Sequence, residues 1–178
     1  MSQDLSLEVE FASLEESYRE IERTLSLPAT AVQRVVAEVS GWSVEHHIAH
    51  VSLANELVVR NLRSLLKGAG PFVVEVGEPP AEALAVLTAG KFPRGRAQSP
   101  RIVRPPETVN REYLDEWLAG NARDFAELRG KAAQLDVCSL KVPHQILGPL
   151  SAAQWVRFAA THTRHHLDIA REILAAAR

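Results

Sequence analysis

Six of the seven histidines in this chain fall in two short windows: His46, His47 and His50 in one, His162, His165 and His166 in the other. Imidazole is the commonest protein ligand for a transition-metal ion, and clustering of this kind is its usual signature. Successive residues of an α-helix advance by about 100°, so His162 and His166 lie one turn apart on the same face and can point at one ion. That face is apolar. Trp155, Ala159, His162, His166, Ile169 and Ile173 project into one sector, whereas Arg157, Arg164, Asp168 and Arg171 lie well away from it and His165 sits at its edge. Burying an imidazole without a partner costs about 1–3 kcal/mol. A metal ion removes that cost for both rings at once; hydrogen bonds to carbonyls or carboxylates would do so for a pair of plain core histidines.

A third ligand is expected from the first window, where His47 lies within the core stripe, His50 at its flank and His46 further out. Spacing alone does not choose between His47 and His50. Glu45 and Glu56 project to other faces and read as solvated charges. Three protein ligands leave a coordination position for water or substrate, the arrangement of a catalytic rather than a closed structural site. Such an ion acidifies a bound water, giving a hydrolase, or a bound thiol, giving a transferase that joins a low-molecular-weight thiol to an electrophile. A non-catalytic reading, a metal-stabilised binding or stress-response bundle, fits the same residues. Imidazole ligands suit Zn, Ni, Fe and Cu alike. No Ser-His-Asp arrangement, Gly-rich phosphate loop or CxxC pair supports another chemistry.

Four long segments with helical periodicity must position these residues. The first, 8–26, places Val9, Leu14, Tyr18, Ile21 and Leu25 at three- and four-residue steps and stops at Pro28. The second begins at the N-cap Ser43, carries Val44, Val51, Val58 and Leu65 inward, and ends after Lys67 at Gly68. The third covers 108–133 with Tyr113, Trp117, Phe125 and Leu128 as inward anchors. The fourth starts at Ser151, which forms a capping box with Gln154, and runs almost to Arg178. Short extra helices are expected around 29–38 and 80–89, and only Pro71 to Val76 resembles a strand. The fold class is therefore all-α: one domain over 1–178, a four-helix bundle with a long crossover between its second and third helices.

Lys plus Arg (20) nearly balance Asp plus Glu (22), which argues against a nucleic-acid or anionic-membrane partner. The exception is the loop from Lys91 to Arg104, with five basic residues and no acid. Arg94, Arg96 and Arg101 are its candidates for holding the carboxylates of a substrate or thiol cofactor, against a plain solvated loop; Phe92 alone is too little for nucleic-acid stacking. The single Cys138 cannot form an internal disulfide and reads as a small packed thiol. The acidic N-terminal stretch and the lack of a long uncharged run suggest a cytoplasmic protein.

Three stretches resemble the DinB/YfiT-like family of bundle proteins, which includes metal-dependent hydrolases and thiol-dependent transferases. In Gly41 to His50 (GWSVEHHIAH), His50 lies eight residues after Trp42, similar to the family's second-helix ligand motif, and this resemblance selects His50 over His47. Pro143-His144, Gly148-Pro149-Leu150 and Trp155 resemble the approach to the family's last helix, with the order of His and Pro reversed. His162 to Leu167 is similar to its H-x-x-x-H-L ligand pair. Where the family often carries a polar residue three positions after the second ligand, this chain has Ile169, which predicts a missing hydrogen-bond partner. The resemblance implies metal ligation by His50, His162 and His166, an ion such as Zn, Ni or Fe, an up-down-down-up topology, a small-molecule substrate and a homodimer.

Overall fold

The computed structural model of the chain describes residues 6–95 and 99–176. Four long helices carry the fold: α1 (Leu7–Leu25), α3 (Val44–Lys67), α5 (Arg111–Arg129) and α7 (Ala152–Ala176); the short α2 (Ala29–Val32), α4 (Ala81–Ala89) and α6 (Ala132–Asp136) lie between them. The dominant packing partners run cyclically, α1 against α7, α7 against α3, α3 against α5 and α5 against α1. This is a mostly helical, all-α fold, as the periodicity predicts. None of the described helices is long and apolar enough to cross a membrane.

The helix ends are built by the residues that mark them in the sequence. The side chain of Ser43 accepts the His46 amide at the start of α3, and Gly68 ends it with φ +65°. Ser151 and Gln154 cap α7 reciprocally, Gln154 N donating to Ser151 Oγ at 3.3 Å and Ser151 N to Gln154 Oε1 at 2.9 Å. One apolar cluster fills the interior, with Phe11, Leu14 and Ile21 from α1, Val58 and Leu62 from α3, Leu114 and Leu128 from α5, and Val156 and Ile173 from α7. Polar ties cross it. Asn55, fully buried on α3, donates to Tyr18 Oη at 3.0 Å and Thr163 Oγ1 at 3.2 Å, and Asn121 on α5 donates to the Ser52 carbonyl at 2.8 Å.

Several expected inward residues face solvent. Val9 is exposed on α1, and on α5 the sequence stripe through Tyr113 and Trp117 is displaced by one residue: Leu114 and Leu118 are the buried pair. An aromatic ring is the heaviest hydrophobic residue in that stretch, but the helix rotates to bury the leucines, in register with Phe125 and Leu128. The expected third helix divides into α5 and α6, and that around 29–38 shrinks to the four residues of α2. Pro71 to Val76 forms no strand, only a bridge from Val74 to Lys141. A hairpin absent from the sequence reading, β1 (Val142–His144) and β2 (Gly148–Leu150), precedes α7. It is too short to show alternation, and Trp155 Nε1 fastens it to α7 by donating to the Val142 carbonyl at 3.0 Å.

Candidate metal centre

Helices α3 and α7 bring their histidine faces together, and each of His50, His162 and His166 offers a ring nitrogen within 4.8 Å of the others. His50 Nδ1 donates to the carbonyl of Val103 at 2.7 Å; because a carbonyl only accepts, this bond fixes the proton on Nδ1 and leaves a lone pair on Nε2. That lone pair faces His162 Nε2 at 3.1 Å. Val103 belongs to a 3₁₀ turn, Arg101–Val103, in the long connection between α3 and α5, so this connection orients a ring of the centre.

His162 stacks on Phe158, with centroids 5.3 Å apart and planes 14° from parallel. Its Nδ1 is buried without a hydrogen-bond partner, and its Nε2 meets only the other imidazole. His166 touches His47 through Nδ1 at 2.9 Å and has no partner for Nε2 among the described residues. Burial drives the pKa of His162 and His166 well below the usual 6.5 and lowers that of His50, and the neighbouring imidazoles add to the effect on His162 and His166. All three rings are therefore neutral near pH 7, the form that binds metal. Three neutral imidazoles, one with its lone pair directed inward and another short of partners, form a donor set that fits a divalent transition-metal ion.

The remaining histidines lie outside this group. His165 packs edge-on against Phe92 and His166, with centroids 6.2 and 5.2 Å away, and contributes no nitrogen to the cluster. His46 contacts Ser43 Oγ at 2.7 Å and the Glu107 carbonyl at 3.1 Å. His47 lies behind His166, bonded through Nε2 to Ser40 Oγ at 2.9 Å. His166 thus has a polar partner after all, reached across from α3 rather than supplied from α7 at position 169. Glu45 is buried, not solvated, its carboxylate 3.9 Å from Arg111.

A family model of the DinB superfamily matches residues 13–170. The chain belongs to the DinB superfamily. Comparisons with curated proteins and with solved structures gave no match. The DinB match covers both histidine windows, the whole of α3 and α7 as far as residue 170.

Of the basic loop in this DinB chain, Arg94 is held by Glu172 on α7 through two bonds of 2.8 Å, and its charge helps disfavour protonation of His165 and His47. Arg101 is exposed on the 3₁₀ turn, and Arg96 lies outside the described residues. His144, noted in the sequence only as part of a motif, packs beside the centre: its ring meets Phe158 at 4.7 Å and Trp155 at 5.5 Å. The signal for it was the Pro-His pair. Val103 carried no sequence signal at all, because a backbone carbonyl is available from any residue.

Proposed function

We propose that the protein is a metal-dependent enzyme that holds a divalent ion through His50, His162 and His166 and uses it to activate a thiol or a water against a small-molecule substrate. The observation that carries this reading is the convergence of three neutral imidazole nitrogens within 4.8 Å, with no fourth protein ligand in the group among the described residues. When bound, such an ion lowers the pKa of a water or thiol towards neutrality and so supplies a nucleophile near pH 7. The chain does the rest. The Val103 carbonyl holds His50 with its Nε2 lone pair inward, the Phe158 ring fixes the plane of His162, and Trp42 packs over His50 with centroids 5.3 Å apart. Phe92, 6.2 Å from His162, gives the site a further apolar wall against which a substrate displaces little ordered water.

Elemental analysis of purified protein, followed by cobalt substitution and titration with a small thiol, tests the proposal. One equivalent of metal, and intense charge-transfer bands on adding thiol, are expected for an ion with an open position. Metal without any response to thiol or to a panel of electrophiles would favour an ion that only fastens α3 to α7. His162→Ala and His166→Ala should lose most of the metal and His165→Ala should keep it; the reverse pattern would refute the ligand assignment.

A further inference from the structure

We propose that His47 is a positioning residue that fixes the tautomer and the aim of His166, through a hydrogen-bonded chain from His166 by way of His47 to Ser40. The proposal rests on the reading of the centre given above and adds to it a residue that is no ligand. His47 is almost wholly buried on α3, one turn before His50. Its two nitrogens are both engaged: Nδ1 lies 2.9 Å from His166 Nδ1, and Nε2 lies 2.9 Å from Ser40 Oγ. Ser40 Oγ also accepts the backbone N–H of Trp42 at 3.1 Å.

Two proton inventories satisfy these contacts. In one, His166 Nδ1–H donates to His47 Nδ1, His47 Nε2–H donates to Ser40 Oγ, and the hydroxyl receives two donors in its two lone pairs. His166 Nε2 then carries a lone pair. In the other every bond runs backwards: Ser40 O–H donates to His47 Nε2, His47 Nδ1–H donates to His166 Nδ1, and His166 Nε2 carries a proton. Only the first leaves His166 able to ligate through Nε2, so binding of an ion selects it, and His47 supplies the acceptor that the selected state requires. Each neutral imidazole has one donor and one acceptor, which makes the chain exclusive: reversing one proton reverses all of them.

The surroundings restrain the acceptor. Trp42 meets the His47 ring edge-on, with centroids 5.4 Å apart and planes at 68°, and the same indole packs on His50 at 5.3 Å. One side chain from the segment before α3 therefore braces both a ring of the cluster and the ring behind it. Ser40, Trp42 and Ser43 all lie in this segment, so the Ser40-to-Ser43 stretch caps the helix and anchors the chain of bonds together. The His47 nitrogens contribute nothing to the close group formed by His50, His162 and His166, which separates its role from that of a ligand.

The test is zinc affinity, measured on wild type, His47→Leu and His47→Asn by competition with a chromophoric chelator. Leucine fills the buried site without an acceptor; asparagine places Oδ1 near the position of the lost Nδ1. His47→Leu should bind zinc about 10- to 100-fold more weakly, as loss of an outer hydrogen-bond partner does, and His47→Asn should recover most of the loss. Circular dichroism of each metal-free variant, unchanged from wild type, shows that the bundle is intact. Cobalt spectra should keep the wild-type band positions in both variants, because the ligands are the same. Equal zinc affinity in wild type and His47→Leu would overturn the positioning role alone. Loss as complete as in His166→Ala, with altered cobalt bands in His47→Asn, would make His47 a ligand and overturn it too. A wild-type protein that binds no zinc or cobalt would instead sink the metal centre itself, and the proposal with it.

Discussion

Acidification of the metal-free protein should expose the cost of keeping His144 neutral. Its Nδ1 accepts two backbone N–H groups, those of Ile146 and Leu147, each at 3.1 Å, and closes the turn between β1 and β2. The ring packs against both Phe158 and Trp155, and burial lowers its pKa to about 4. Protonation would strand a charge away from water and turn the accepting nitrogen into a third donor facing two others. In the unfolded chain the same group titrates near 6.5, so below that pH the unfolded state binds the proton first. The stability is thus fully present above pH 6.5 and is lost as the pH falls towards 4. At about 1.4 kcal/mol per pH unit, the gap is worth about 2–3 kcal/mol, the lower end allowing for the part of the ring that solvent reaches; most of it is gone by pH 4.5. Urea unfolding of chelator-treated protein at pH 7, 5.5 and 4.5 measures the slope. His144→Asn keeps an acceptor for the turn but cannot titrate, so its stability should fall by about 2 kcal/mol less than that of wild type over this range. Parallel pH profiles for the two proteins would refute the reasoning, whatever their absolute stabilities.

Asn55→Ala removes the donor shared by Tyr18 Oη and Thr163 Oγ1 in the interior, and should cost about 2–3 kcal/mol, or about 5–10 °C in melting temperature; a change below 1 °C by calorimetry would mean that those oxygens find other partners. Gly90→Ala should destabilise the fold by about 1–2 kcal/mol, because φ there is +61° and the new Cβ would lie 2.6 Å from an Arg157 guanidinium nitrogen. Arg157 also pairs with buried Glu10 at 2.9 Å. Urea midpoints for Gly90→Ala equal to those of wild type would show that the guanidinium moves aside at no cost.

Much of this molecule follows from patterns local to the chain. Ser43, Gly68, Ser151 and Gln154 end their helices as backbone hydrogen-bonding rules require, and the four-residue step from His162 to His166 puts two rings on one face because a helical turn has about 3.6 residues. The family-like spacing from Trp42 selects His50, and His50 stands in the cluster. Other features depend on which atoms meet across the bundle. Whether Trp117 or Leu118 points inward turns on a rotation of α5 by about 100°, which sequence periodicity leaves open when apolar residues lie on both flanks. Ile169 suggests a His166 without a polar partner, yet His47, 119 positions earlier in the chain, reaches the same nitrogen. The sequence leaves the basic loop open between a solvated loop and an anion clamp, and it does not reveal that Glu172 on α7 holds Arg94. In each case the local sequence fixes what a side chain can offer, a donor, an acceptor or a charge; only the packing of α3 against α7 decides which partner takes it, since hydrogen bonds act over about 3 Å and the chain brings distant residues that close only when it folds.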